Sequence, residues 1–339
     1  RFSPLLNSYL MSFVLFFGIL TMFMSGLAAG FEFDLKKIIA LSTLSQLGLM
    51  MSILSLGDFN LAFFHLLIHA LFKALLFMCS GFIIHSLMDC QDIRFMGGLI
   101  NFMPLTCCYF LICKGALCGL PFLSGFYSKD LILEFLSISY SSLFNLFIFY
   151  LSVGFTVFYS VRLIYYLLVS NSNLLSFFFI SESMSFMLKG MSGLIYLVII
   201  AGSSFSWLIF PTPYFIILPF LMKLMSLMSI LLGLFIGFEF SKCLVGHNLI
   251  AFSYFYFVLY NSSIWNLSFL SSIFNHSCLF IGNLYYKFLD NGWSEYFGSQ
   301  NIYSSMSIIS SGLHFIFTNS IKIYISFLFI WLFLMLLLF

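Results

Sequence analysis

Apolar runs about the length of a bilayer crossing recur along almost the whole chain, separated by short polar or charged segments. Each run reads as a transmembrane helix. The pattern predicts eight crossings: from near Leu5 to Ala28, Lys36 to Leu56, Asn60 to Ile84, Pro104 towards Leu136, Leu143 to Val169, Met191 to Phe210, Tyr214 to Phe238, and Ile321 to Phe339. The fourth is too long for a simple span, and the string Gly119-Leu120-Pro121-Phe122-Leu123-Ser124-Gly125 interrupts it. Pro121 removes a backbone donor and the flanking glycines loosen the turn, so a broken helix over 104–136 is predicted. At membrane depth such a break is tolerated only inside protein or beside a wet cavity, and its helix ends are ready to hold ions.

Residues from about Glu239 to Asn319 follow a different pattern, with Trp265, Lys287, Asp290, Trp293, Glu295 and His314 scattered among apolar positions. This stretch reads as interfacial loop and helix lying along one membrane face, a loose loop being the alternative. Gly292 and Gly298 predict a break near the start of any long helix there. Four regions result: a transmembrane region at 1–140, further transmembrane helices at 141–238, an interfacial region at 239–318, and a final anchor at 319–339. The glycine pairs Gly26/Gly30, Gly115/Gly119 and Gly233/Gly237 have the spacing of close helix packing.

Composition sharpens this into an all-α integral membrane protein. Of 339 residues, 62% are hydrophobic and 7% charged, against about a quarter charged in a soluble domain. A net charge of +2 does not mark a nucleic-acid partner, and 49 phenylalanines suit lipid-facing surfaces. The eight cysteines form no CxxC. Cys108, Cys113 and Cys118 recur every five residues, which turns each about 140° from the last and prevents convergence on one ion. They read as small apolar filler. The sequons at Asn261, Asn266 and Asn275 would matter only in a secreted context. With alternating crossings, Lys36, Lys37, Arg94, Lys189 and Lys242 share one side, which the positive-inside rule assigns to the cytoplasm or mitochondrial matrix. The chain begins at Arg1 and enters an apolar run almost at once, as the back part of something longer would.

The charged residues inside the spans carry the candidate chemistry. His65, His69 and Lys73 sit at i, i+4 and i+8 in the third span, drifting about 40° per step, so they line one helix face over about 12 Å. Paired histidines can hold a metal, but an ammonium on the same stripe repels a dication. Histidine titrates near neutral pH, low dielectric disfavours a charged ammonium, and intramembrane ionisable groups mark function. The stripe therefore reads as a proton relay, against buried histidines bonded to carbonyls and a snorkelling lysine. Lys129 and Asp130 follow directly on the glycine–proline break, with Glu134 one turn beyond, and make a second protonation site. Lys37 opens the second span as either a wet-cavity group or an interface anchor. Lys114 and Lys223 stay open, and Arg162 reads as a snorkelling side chain. No dinucleotide fingerprint, phosphate loop, haem or cluster ligand set occurs, so redox centres are expected elsewhere.

Three strings carry a resemblance: Phe33–Gly48 (FDLKKIIALSTLSQLG), His65–Lys73 (HLLIHALFK) and Leu120–Asp130 (LPFLSGFYSKD). They resemble the antiporter-like subunits of mitochondrial NADH:ubiquinone oxidoreductase, respiratory complex I. The strings Leu218–Lys242 and Gly292–Gly298 (GWSEYFG) narrow the resemblance to one member in its invertebrate forms. The resemblance implies two inverted five-helix repeats, each with a broken helix, of which this chain is similar to the second plus a C-terminal extension. The first repeat, with a glutamate–lysine pair, would precede Arg1. It further implies that His65, His69 and Lys73 form a central hydrophilic axis and that Lys129 faces the exit side. A lateral helix would occupy part of 280–318, reaching about 60 Å if ~40 residues long. FMN, iron–sulfur clusters and ubiquinone would belong to other subunits, with no cofactor in this chain. Expected partners are the other membrane-arm subunits, above all the neighbouring antiporter-like one, and lipids including cardiolipin. The expected location is the mitochondrial inner membrane with the lateral helix on the matrix side. The competing readings are a free-standing sodium/proton antiporter and a structural strap. Lys114 stands where a neutral residue is expected.

Overall fold

A computed structural model describes residues 6–139, 142–173, 182, 186–245, 260–261, 267–318 and 321–338. Arg1, Trp265, Asn266, Phe339 and residues 246–259 of the expected interfacial region lie outside them. The chain divides into two compact units, residues 1–265 and 266–339.

The first unit is a helical bundle. Helices α1 (Ser8–Phe31), α2 (Leu35–Ser55), α3 (Phe59–Ser86), α6 (Leu143–Ile164), α7 (Phe186–Ile209) and α8 (Phe220–Val245) are long and apolar enough to cross a membrane, α6 with its extension to Val169. Between them the expected broken helix appears as two short helices, α4 (Pro104–Cys118) and α5 (Ser124–Ile138). The second unit adds a seventh long apolar helix, Ile321–Leu338. The chain is a multi-pass membrane protein.

Without a hydrophobic drive between helices in lipid, close packing holds such a bundle. Gly26 and Gly30 of α1 face Phe155 and Phe158 of α6, and Gly233 of α8 lies against the Gly154 carbonyl. Two of the three glycine pairs thus serve helix contact. The third, Gly115/Gly119, serves the break: Gly119 ends α4 in the left-handed region at φ 84°.

Lys37, Arg94 and Lys242 lie at one end of the bundle, each beside an acid. Asp34 bridges Asp92 across the loops after α1 and α3, Lys37 pairs with Asp34 at 2.6 Å, and Arg94 pairs with Asp92 at 3.0 Å. Phe240 near the end of α8 meets Phe31 at 5.5 Å between ring centroids, which puts Lys242 at the same end. At the opposite end Asp58 caps α3 through Leu61 N and accepts from the Tyr214 hydroxyl at 2.9 Å.

Several expectations change, and the sixth span starts at Phe186 rather than Met191. The seventh span begins at Phe220 rather than Tyr214, because Pro211, Pro213 and Pro219 hold the preceding segment out of helix. It runs through Glu239 to Val245, where Lys242 pairs with Glu239 at 3.2 Å one turn apart. Arg162 does not snorkel: it is 1% exposed, and its Nη1 donates to the carbonyls of Gly30 at 2.5 Å and Glu32 at 2.8 Å. Those carbonyls end α1, where the helix dipole favours a cation.

In the second unit, α9 (Leu267–Tyr285) continues into α10 (Asn301–Thr318) without interruption. Instead of breaking at Gly292 and Gly298, the backbone widens to π-helical bonding over Tyr286–Ser294 and Tyr296–Gln300. The wider turn absorbs the glycines without ending the helix. The rod over 267–318 is therefore longer than expected, about 78 Å at ~1.5 Å per residue. Its last helix is α11 (Ile321–Leu338).

Candidate functional site

The break between α4 and α5 makes the site. Gly119 N and Leu120 N both donate to the Gly115 carbonyl, closing the last turn of α4. Phe122 adopts φ 70°, and α5 restarts at Ser124. A helix stopped in mid-bundle exposes carbonyls at its C-terminal end, the negative end of its dipole. Lys129 answers them. Its Nζ donates to the Leu117 carbonyl at 3.2 Å and to Thr156 Oγ1 of α6 at 3.0 Å, and the residue is 2% exposed. The other end of α4 is matched in the opposite sense: the Glu182 carboxylate accepts from Leu105 N at 3.1 Å and Thr106 N at 2.7 Å. An anion at the N-terminus and a cation at the C-terminus both suit the dipole of a helix only 15 residues long.

The half-helices can meet because α5 carries glycine where it crosses α4. An added Cβ at Gly125 would lie 1.8 Å from the Ala116 carbonyl oxygen. Gly125 and Lys129 stand one turn apart on the same face of α5.

Helix α3 lies beside this junction and presents its stripe to the protein interior. His65 and Lys73 are buried and His69 lies at the edge of burial. His65 Nδ1 bonds Ser128 Oγ of α5 at 2.9 Å, and its Nε2 lies 3.4 Å from Gln46 Oε1 of α2. The rings of His65 and His69 have centroids 6.2 Å apart. Lys73 Nζ donates to Ser42 Oγ of α2 at 2.5 Å. Three helices thus face one polar file: α3 supplies His65, His69 and Lys73, α2 supplies Ser42 and Gln46, and α5 supplies Ser128 and Lys129. Several buried polar atoms along it have no protein partner, namely Gln46 Nε2, His69 Nε2, Lys114 Nζ and Tyr159 OH.

Not all expected residues join the file. Asp130 and Glu134 are half-buried and line a separate cavity of about 440 Å³, with Tyr127, Trp207, Phe210 and Tyr214. Lys223 and Ser226 of α8 face Asp130. Lys37 is exposed at the basic end, ion-paired to Asp34. Among the described residues, no three His, Cys, Asp or Glu side chains converge to hold a metal ion.

Sequence reasoning missed Ser42, Gln46, Ser128 and Thr156, each a partner of a titratable group. Ser42 and Gln46 had a usable signal, since they sit at i, i+4 as polar residues inside an apolar span. Thr156 had none, because hydroxyls in membrane helices commonly bond their own backbone, as Thr156 also does through the Val153 carbonyl at 2.7 Å.

A long-helix bundle with one helix broken beside a file of buried lysines and histidines defines the antiporter-like class of membrane proteins. Residues 1–156 match the family model described as NADH:quinone oxidoreductase/Mrp antiporter, transmembrane. Residues 159–339 match the model for the NADH dehydrogenase subunit 5 C-terminus, and the chain belongs to the NADH dehydrogenase subunit 5 family. It is 47% identical over 341 residues to NADH-ubiquinone oxidoreductase chain 5 of Locusta migratoria, covering all of this chain and 60% of that one. To chain 5 of Aedes aegypti it is 48% identical over 336 residues, covering 98% and 57%. The Lumbricus terrestris chain 5 is 38% identical over 316 residues, covering 89% and 53%. The chain thus spans about 60% or less of the length of these relatives. Two solved structures share the fold at 22% identity. The Mrp complex from Dietzia sp. DQ12-45-1b gives a TM-score of 0.52 over 76% of this chain and 30% of its own. The membrane-bound sulfane sulfur reductase, an archaeal respiratory membrane complex, gives 0.51 over 68% and 45%.

Proposed function

We propose that this chain carries protons through the mitochondrial inner membrane as a membrane-arm part of NADH:ubiquinone oxidoreductase, driven by electron transfer in other subunits. The observation that supports this most is the buried file itself. A structural role explains one buried lysine with full hydrogen bonding, but not a run of titratable groups with orphaned polar atoms between them. Buried polar groups find protein or water partners, so the atoms left over at Gln46, His69, Lys114 and Tyr159 are where water would join the side chains. His65, His69 and Lys73 relay along the axis, and Lys129 passes the proton on at the helix break. Asp130 and Glu134 serve the outward cavity, and the basic end faces the matrix by the positive-inside rule. The chain belongs with a subunit's C-terminal region and not with a free-standing antiporter, as the match over 159–339 supports.

The test is Lys73→Met in the assembled complex, reconstituted into proteoliposomes. Quinone reduction and proton translocation are followed separately. The proposal predicts an assembled complex that pumps fewer protons per electron. Undiminished pumping together with unchanged assembly would return Lys73 to a structural role.

A further inference from the structure

Lys114 is a buried charge beside the proton file to which the relay above gives no carrying role. It lies on α4, one turn before Cys118, and is fully buried. Its Nζ makes no hydrogen bond, and it sits 5.1 Å from the Phe110 ring centroid and 6.0 Å from that of Tyr159. A buried ammonium among ring faces and thiols, with no hydrogen bond, is costly to keep for packing alone. Methionine would fill the same volume without that cost.

Its neighbours on each side belong to the two halves of the file. Lys114 is close enough to Lys73 for its charge to act on it. Tyr159, over whose ring Lys114 lies, is beside Ser42, the hydroxyl that accepts from Lys73. On the other side, the Cys118 thiol is near both Lys114 and Lys129 and is 2.9 Å from Ser160 Oγ. The sequence Lys73, Ser42, Tyr159, Lys114, Cys118, Lys129 therefore runs from the central stripe to the helix break through α2, α6 and α4. The histidine branch reaches the same lysine through His65 and Ser128 of α5.

We infer that Lys114 is a proton-carrying residue that joins Lys73 to Lys129, a second branch of the file running in parallel with His69 and His65. Like charges this close in a low-dielectric interior resist being protonated together. A proton arriving at Lys73 therefore drives one from Lys114 to the free amine of Lys129, whose ammonium donates to the Leu117 carbonyl and the Thr156 hydroxyl. Each transfer breaks one N–H, O–H or S–H bond and forms another: Ser42, Tyr159 and Cys118 each take a proton on one side as they give one up on the other, and each lysine that gives its proton is left as the free amine.

This inference rests on the proton-carrying reading of the file, so its test compares three replacements in the reconstituted complex. Lys114→Met keeps the volume and removes the proton. Lys114→Arg keeps a fixed cation over the same rings but cannot release it near neutral pH. Lys129→Ala reports on the underlying reading. Both Lys114 variants should lower protons pumped per electron at least twofold relative to wild type, with quinone reduction and assembly retained. Normal pumping in Lys114→Met, or normal pumping in Lys114→Arg, overturns the assignment, the second by showing that a static cation suffices. If Lys129→Ala pumps normally, the file itself fails. If Lys129→Ala is impaired while Lys114→Met is not, only the second branch fails. Should Lys114→Met not assemble, Lys114→Gln takes its place and is judged by the same two outcomes.

Discussion

Replacing Gly125 with alanine should uncouple the two half-helices. The added Cβ would stand 1.8 Å from the Ala116 carbonyl oxygen and 2.7 Å from its carbon. Ordinary contact begins near 3.4 Å, so α4 and α5 must separate locally by about 1.6 Å. Overpacking against side chains costs about 1–3 kcal/mol. Here the obstacle is backbone, which rotates away less easily, and the upper part of that range is expected. A loss of about 3 kcal/mol is roughly a hundredfold in the equilibrium between packed and opened junction. Lys129 rides on the same face one turn on, and its 3.2 Å bond to Leu117 would leave hydrogen-bonding range. The assay is native-gel assembly and thermal stability of the complex, followed by pumping in proteoliposomes. Gly190→Ala on α7 is the control: nothing lies within 4 Å of its added Cβ, and helix propensity favours it by up to about 1 kcal/mol. If Gly125→Ala assembles, melts and pumps like Gly190→Ala, the close crossing does not position Lys129.

Three further outcomes follow from single contacts. Thr156→Val keeps shape but removes the hydroxyl that accepts from Lys129 at 3.0 Å; proton pumping should fall while native-gel assembly stays normal. Glu182→Ala leaves Leu105 N and Thr106 N uncapped and should cost about 0.5–2 kcal/mol of stability, read as a lower melting temperature. Glu32, in the loop after α1, has its carboxyl pushed up from 4.5 by burial, with Lys37 opposing. The folded state then binds this proton more tightly than the unfolded one, so stability is lost as pH rises from 4.5 through the folded value. Glu32→Gln should raise the melting temperature at pH 7 and flatten the pH slope just above 4.5.

Much of this fold was legible because membrane helices announce themselves by length and polarity. The break at Gly119–Gly125 was legible too, since proline and glycine at mid-span have few other uses. Spacing alone put His65, His69 and Lys73 on one face. What spacing could not supply is which helix faces that stripe: Ser42 and Gln46 lie on α2 and Ser128 on α5, and only the tertiary packing brings them together. Arg162 was misread because its distance from the helix end permits snorkelling, while the carbonyls that hold it belong to another helix. The continuous rod over 267–318 was misread for a local reason. Glycine predicts a break only if α-helical bonding is the sole alternative, and the π-helical turns at Tyr286–Ser294 and Tyr296–Gln300 offer another.

Lys129, held at the broken end of α4, is proposed to pass protons and not merely to close the bundle. Lys129→Ala in the reconstituted complex tests it, with NADH-driven quinone reduction and acidification recorded on the same vesicles. Continued electron transfer with fewer protons moved per electron is the expected outcome. Electron transfer and pumping both at wild-type levels would contradict it.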